Sequence, residues 1–88
     1  MSGRIGGTPE QMHQMGQQFK NEADQVEALV GRITSQLSST DWEGKAATDF
    51  RDQWNGQFKQ AFTQVVAGLR ACSTEVNKRA EMLTTAGT

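Results

Sequence analysis

Residues 38–44 read Ser-Ser-Thr-Asp-Trp-Glu-Gly and lie at the midpoint of the 88-residue chain, between two long stretches with helical periodicity. The short polar side chains compete for backbone hydrogen bonds, so they favour the end of a helix. Gly44 permits a backbone angle or a close approach that a side chain would block. Trp42 lies off the apolar stripes on both sides. We therefore expect it in a turn, folded back over the end of a helical hairpin.

The segment before this turn predicts one helix over residues 8–38. Thr8 and Pro9 are an N-cap and a favourable first helical residue, and Gln11 stands at the capping-box position. Apolar and small residues then recur in alternating steps of four and three, as in a heptad repeat. This stripe consists of Met12, Gly16, Phe19, Ala23, Val26, Val30, Ile33 and Leu37.

The segment after the turn, residues 46–83, predicts a second helix with a different repeat. Its apolar residues recur in steps of three, four and four, an eleven-residue period that keeps a helix nearly straight. This stripe consists of Ala47, Phe50, Trp54, Phe58, Ala61, Val65, Leu69, Cys72, Val76, Ala80 and Leu83. The sequence thus predicts one all-α domain, an antiparallel two-helix hairpin with frayed ends at residues 1–7 and 84–88.

Apolar residues outside the two stripes favour assembly into a four-helix bundle. Met15 and Leu29 widen the first stripe, and Phe62, Val66 and Met82 widen the second. A hairpin buries one stripe of each helix, so a second hairpin would be needed to cover the rest. The alternative is that these residues thicken the hairpin's own core. The residues expected in the hairpin or dimer interface are Met15, Phe19, Val26, Leu29, Val30, Ile33, Phe50, Trp54, Phe58, Phe62, Val65, Val66 and Leu69.

The overall composition disfavours several classes of function. Nine basic and ten acidic residues are interspersed, which gives no electropositive face for a nucleic acid. No apolar run is long enough to cross a bilayer. Residues 1–7 lack the apolar core of a classical signal peptide. We therefore expect a cytosolic protein, or one exported by a route that does not read such a signal.

The residues that could carry chemistry are few. Cys72 lies on the apolar stripe and is expected in the core. His13 is the only histidine and is expected to be partly exposed, although it could act as a pH sensor that loosens the bundle on acidification. Carboxylates such as Asp49 and Asp52 are expected on a solvated, salt-bridging surface. With no zinc-ligand spacing and no phosphate-loop motif, the sequence predicts no enzyme, metal site or cofactor.

The central tripeptide Trp42-Glu43-Gly44, followed by Ala46-Ala47, Phe50 and Trp54, resembles the WXG family of small ESAT-like proteins. The resemblance extends from Thr8 to about Leu83. It implies a non-enzymatic hairpin that pairs with itself or with a sibling into a four-helix bundle. It further implies export of the folded dimer by the type VII (ESX) secretion system of actinobacteria and other Gram-positive bacteria, through recognition by the membrane ATPase of that system.

The chain departs from the family in one respect, because its 88 residues contain no tyrosine. The family's export motif in the tail is a tyrosine followed four residues later by Asp or Glu. The resemblance therefore implies the signal-less member of a heterodimer, with Trp42 and Gly44 as the turn or export motif and the tail motif on the sibling. The alternatives are a cytosolic helical adaptor, a homodimeric bundle subunit, or a membrane-active helical effector.

Overall fold

The computed structural model describes residues 8–86, which form two long helical arms joined by a short turn. The first arm is helix α1 (Pro9–Ser39). The second arm consists of α2 (Lys45–Gln53), a π-helical segment (Trp54–Phe58) and α3 (Lys59–Ala86), which follow one another without a break. The principal dimensions are 64 × 21 × 17 Å. The prediction of an all-α helical hairpin is confirmed.

The described helices differ slightly in length from those expected. Helix α1 begins and ends one residue later than predicted, and α3 includes residues 84–86, which were expected to belong to a frayed end. The fraying expected at residues 1–7 and 87–88 lies outside the described residues. No helix in the described part of the chain has the length and apolar character needed to cross a membrane.

The start of α1 is fixed by the capping box that its sequence predicts. The Thr8 hydroxyl accepts a hydrogen bond from the Gln11 N–H at 3.1 Å, and the Gln11 side chain accepts one from the Thr8 N–H at 3.3 Å. Pro9 occupies the first turn, where its missing N–H leaves no donor unsatisfied.

Gly44 ends the turn because of its backbone conformation. Its φ of +105° is the only positive φ among the described residues. An added Cβ would meet no atom within 4 Å, so glycine is required here for its angle and not for space. The Gly44 carbonyl then accepts the hydrogen bond from Thr48 that opens α2.

The contact between the two arms is narrow and is built largely from small residues. Ser73 donates a hydrogen bond to the Gly16 carbonyl at 2.7 Å, and a Cβ added to Gly16 would lie 2.5 Å from Asn77 Oδ1. Side chains of α3 therefore lie directly against the backbone of α1 at this level. The buried residues of the hairpin are Gly16, Ala23, Ala47, Trp54, Val66, Ser73 and Ala80.

The π-helical segment changes which face of α3 packs against α1. The Lys59 N–H bonds to the carbonyl of Trp54, five residues back, so this turn holds one residue more than an α-helical turn. One extra residue rotates all later side chains by about 100° relative to an uninterrupted helix. As a result Val66 is 6% exposed, whereas Val65 is 49% exposed.

The predicted eleven-residue stripe is therefore wrong for part of the second arm, although its members Ala47, Trp54 and Ala80 are buried. Phe62 and Val66, expected on the extra flank, pack in the hairpin, while Phe58 and Val65 are exposed. Cys72 is exposed as well, and the neighbouring Ser73 takes the buried position that was expected for it. The physical reason is the extra residue in the π turn, which a uniform helical period does not contain.

Candidate interaction surface at the turn and along one face

One side of the hairpin is polar and is cross-linked between the arms; we call it the polar face. Arg70 of α3 donates hydrogen bonds to Glu27 at 2.9 Å and to Asp24 at 3.0 Å, both on α1. The bonds to Glu27 and then Asp24 raise the pKa of the Arg70 guanidinium above its usual value. Nearer the open end of the hairpin, His13 Nδ1 lies 3.0 Å from Asn77 Oδ1. These contacts join the two arms along the polar face.

The opposite side carries large apolar side chains that no other described residue covers, and we call it the apolar face. Residues three, four or seven apart share a helix face. The contacts of Arg70 and His13 mark one flank of each arm as polar, so the apolar residues on the opposite flank of each arm lie together on this side. The exposed fractions of its clearly exposed members range from 36% for Phe58 to 49% for Val65. The apolar face consists of Met15, Phe19, Val26, Leu29, Ile33, Phe50, Phe58, Val65, Leu69, Val76 and Leu83.

Trp42 extends the apolar face to the turn. Its ring centroid lies 6.1 Å from that of Phe50, and Phe50 lies 6.5 Å from Phe58. Both distances fall within the range of favourable aromatic pairs. Because Trp42 is 40% exposed, the row Trp42–Phe50–Phe58 presents a continuous aromatic surface; we call it the aromatic row.

Trp54 has a different position from Trp42 and is 9% exposed. Its indole N–H donates a hydrogen bond to the Thr34 hydroxyl at 2.9 Å, which links the π-helical segment to α1. Its ring also lies 5.9 Å from that of Phe62. Trp54 therefore stabilises the contact between the arms, whereas Trp42 is displayed at the end of the molecule.

Arg51 joins the parts of the turn, a role that the sequence alone did not predict. Its guanidinium donates to the carbonyl oxygens of Leu37 at 3.2 Å, Thr40 at 3.0 Å and Trp42 at 2.8 Å. The guanidinium carbon also lies 5.9 Å from the centroid of the Trp42 ring. The contact is favourable because the last turn of α1 contains no basic residue of its own and a cation stabilises that end of a helix.

The expected interface residues divide between two surfaces. Trp54 and Val66 are buried between the arms, and Val30 and Phe62 are half-buried there. The other expected residues lie on the apolar face, and Trp42 and Gly44 lie in the turn as expected. The members found on the apolar face are Met15, Phe19, Val26, Leu29, Ile33, Phe50, Phe58, Val65 and Leu69.

His13 contacts the opposite arm through both nitrogens of its ring. Nδ1 lies 3.0 Å from Asn77 Oδ1, and Nε2 lies 3.4 Å from a carboxylate oxygen of Glu81 on α3. The loosening of the bundle on acidification stays a prediction. Among the described residues, no group of three or more His, Cys, Asp or Glu side chains could hold a metal ion.

The fold and surface define a class of protein: a small helical hairpin with a Trp-x-Gly turn and one exposed apolar face. A sequence model of the WXG100 family, "Proteins of 100 residues with WXG", matches residues 4–88, and the chain belongs to this family. WXG100 proteins are small helical proteins that are not known as enzymes, so the prediction of a non-enzyme is confirmed.

Individual relatives match over nearly the whole chain. Protein YukE of Bacillus subtilis (strain 168) is 29% identical over 85 residues, which are 94% of this chain and 87% of YukE. The secreted protein EsxB from Bacillus anthracis str. Sterne has 26% sequence identity to this chain. Its crystal structure superposes with a TM-score of 0.85 and covers 97% of this chain and 98% of EsxB. A single-substitution variant of EsxB matches with the same TM-score at 27% identity, covering 99% of this chain and 98% of the variant.

Proposed function

We propose that this protein is a secreted, non-enzymatic interaction protein, exported by a type VII secretion system as a folded pair of helical hairpins. Two findings support export: the chain belongs to the WXG100 family, and the similar structures are those of a protein described as secreted. Before export the pair forms in the cytoplasm. The partner is a second hairpin of the WXG type.

The exposed apolar face is the single observation that carries the pairing. Met15, Leu29 and Val65 are each at least 40% exposed, and they lie on the same side as the aromatic rings of Phe50 and Phe58. A continuous apolar surface of this kind is unusual on a soluble monomer. Covering it contributes about 25 cal/mol for each Å² removed from water. A second hairpin laid against this face completes a four-helix bundle.

The composition favours a sibling as the partner. The 88 residues contain no tyrosine, and the export motif of the family's tail requires one. We therefore assign the tyrosine-bearing tail to the other hairpin of a heterodimer. In this arrangement the secretion ATPase recognises the pair, and the present chain contributes the Trp42-Glu43-Gly44 turn.

Light scattering after size-exclusion chromatography tests the pairing, with the chain alone and co-expressed with a WXG sibling encoded beside it. We expect a heterodimer with the sibling. Val65→Asp should abolish association while leaving the circular dichroism of the hairpin unchanged, because Val65 lies outside the hairpin core.

The matched control is Gln64→Asp, which places the same charge about 100° around the helix from Val65. Gln64 is exposed, and this variant should still associate. A cooperative monomer under both conditions, or equal loss of association in the two variants, would overturn the proposed pairing. A homodimer that is sensitive to Val65→Asp and does not exchange with the sibling would support the apolar face but overturn the heterodimer.

A further inference from the structure

We propose that Arg51 is a positioning residue for the Trp-x-Gly turn: its guanidinium fixes Trp42 at the end of the aromatic row. This inference rests on the proposed function, in which the turn and the apolar face are recognised. It adds to the tripeptide a residue seven positions after Gly44. The motif that displays the tryptophan is then built from both arms.

Trp42 needs a positioning group because the tripeptide itself holds it loosely. Trp42 lies in the non-helical connection between α1 and α2, and its N–H donates one hydrogen bond to the Thr40 carbonyl at 3.0 Å. Its ring touches Phe50 on one arm and remains 40% exposed. A backbone segment of this kind has several accessible conformations unless other groups fix it.

Arg51 supplies the missing constraint through three separate donors. Its Nε–H reaches the Leu37 carbonyl in the last turn of α1, and its two terminal nitrogens reach the carbonyls of Thr40 and Trp42. The first two carbonyls belong to the end of α1, where unpaired acceptors and the negative end of the helix dipole favour a cation. The third belongs to the tryptophan of the turn.

The same guanidinium also contacts the side chain that it positions. Its carbon lies 5.9 Å from the centroid of the Trp42 ring, within the distance of a cation–π interaction. Arg51 therefore fixes both the backbone and the ring of Trp42 relative to the end of α1. Because Arg51 directly follows Phe50 on α2, it also holds the ring next to the first residue of the aromatic row.

A lysine cannot replace this arginine. The guanidinium is a planar fork with donors in fixed directions, whereas a lysine ammonium is a compact point charge. Lysine would keep a cation at the end of α1 and lose the simultaneous bonds to three carbonyls. The comparison of lysine with a neutral residue therefore separates the effect of charge from the effect of geometry.

The test is fluorine NMR of the full chain labelled with 5-fluorotryptophan, which gives one resonance each for Trp42 and Trp54. Arg51→Gln and Arg51→Lys are compared with the parent chain, and Trp42→Phe assigns the two resonances. We expect the Trp42 resonance to shift and narrow in both variants, because the ring gains mobility. The Trp54 resonance and the far-ultraviolet circular dichroism should stay unchanged.

Lys45→Gln is the matched control, since it removes a cation from the same helix. Lys45 pairs with Asp49 at 2.7 Å and not with the carbonyls of the turn among the described residues. It should leave the Trp42 resonance in place. An unchanged Trp42 resonance in Arg51→Gln, full restoration by lysine, or equal changes at Trp42 and Trp54 would each overturn the positioning role.

The NMR result is independent of the proposed pairing. If the Trp42 resonance did not move, the positioning role of Arg51 would be contradicted, and the proposed pairing through the apolar face would be unaffected. A monomer in light scattering would remove the pairing and leave the resonance measurements unaffected. In the paired protein, Arg51→Gln should also weaken export relative to Lys45→Gln if the turn is recognised as proposed.

Discussion

The two tryptophans of this chain show how local contacts separate residues of the same type. Trp54 is buried and hydrogen-bonded to Thr34 on the opposite arm, so its indole stabilises the hairpin. Trp42 is partly exposed, packs next to Phe50, and is contacted by the Arg51 guanidinium. Replacement of Trp54 would therefore damage folding, whereas replacement of Trp42 would mainly change the surface at the turn.

Gly44 offers a sharp prediction at the level of one residue. Its φ of +105° and ψ of 176° lie in a region that is essentially restricted to glycine. Gly44→Ala should lower the free energy of unfolding by about 1–3 kcal/mol, although the added methyl group has free space. Urea denaturation followed by circular dichroism measures this change.

Gly31→Ala is the control for the Gly44 experiment. Gly31 lies inside α1, and a Cβ added there would also meet no atom within 4 Å. Because its backbone is helical, alanine should raise the stability by up to about 1 kcal/mol. Equal effects of the two substitutions would contradict the conformational explanation for Gly44.

At the residue scale, the sequence predicted the parts of the turn that depend on local preferences. The cap at Thr8 and the turn at Gly44 follow from the preferences of single residues and their immediate neighbours. The role of Arg51 depends on carbonyls up to fourteen positions away along the chain. Such contacts exist only after the two arms have packed, so no local pattern specified them.

At the scale of elements, the π-helical segment Trp54–Phe58 determines which residues of the second arm are buried. Periodicity predicted two helices because the apolar pattern is strong in both segments. It did not predict the core of α3, because Phe62 and Val66 form one apolar series and Phe58 and Val65 form another. Choosing between the two series requires knowledge of one extra residue in a helical turn, which has no strong sequence signature.

Removing one residue from the π-helical segment tests this account. Deletion of Asn55, an exposed residue, should convert the segment into regular α-helix while keeping α2 and α3 in their present orientations. The extra residue is lost, so Trp54 and Phe62 would still face α1. We expect unchanged helical content and a free energy of unfolding within about 1 kcal/mol of the parent, measured by urea denaturation.

Deletion of Thr74 is the matched control, because Thr74 is exposed within the regular helical part of α3. The helix around Thr74 is regular α-helix and contains no extra residue, so the deletion changes the helical register. The following side chains, including the buried Ala80, would rotate by about 100° away from α1. We expect the stability to fall by several kcal/mol, and equal tolerance of the two deletions would contradict the proposed role of the π turn.

At the scale of the whole molecule, the polar face and the apolar face differ in what they can contribute to stability. The polar face contains ion pairs within the chain, which join Arg70 to Glu27 and Asp24. Exposed ion pairs of this kind contribute little to stability, typically below about 1 kcal/mol each. On the apolar face, large side chains such as Met15 and Val65 stay at least 40% exposed among the described residues. Its coverage should therefore stabilise the fold in a concentration-dependent way.

The native Cys72 provides a probe of this coverage that requires no substitution in the parent chain. Cys72 is exposed in the single hairpin, and its spacing of seven from Val65 and four from Val76 places it on the flank of the apolar face. Its reaction with a maleimide should be fast in the monomer and markedly slower once the proposed pair has formed. Mass spectrometry over a time course, at increasing concentrations of the chain or of its sibling, measures the two rates.

A thiol moved to the outward side of α3 separates coverage from a general stiffening of the helix. The double variant Cys72→Ser with Gln64→Cys carries its thiol on an exposed position away from the apolar face. Pairing should leave the labelling rate of that thiol nearly unchanged, because no side chain of a second hairpin reaches it. Equal protection of both thiols would indicate a contact surface other than the apolar face. Equal reactivity of Cys72 in the free and paired states would place the partner elsewhere on the molecule.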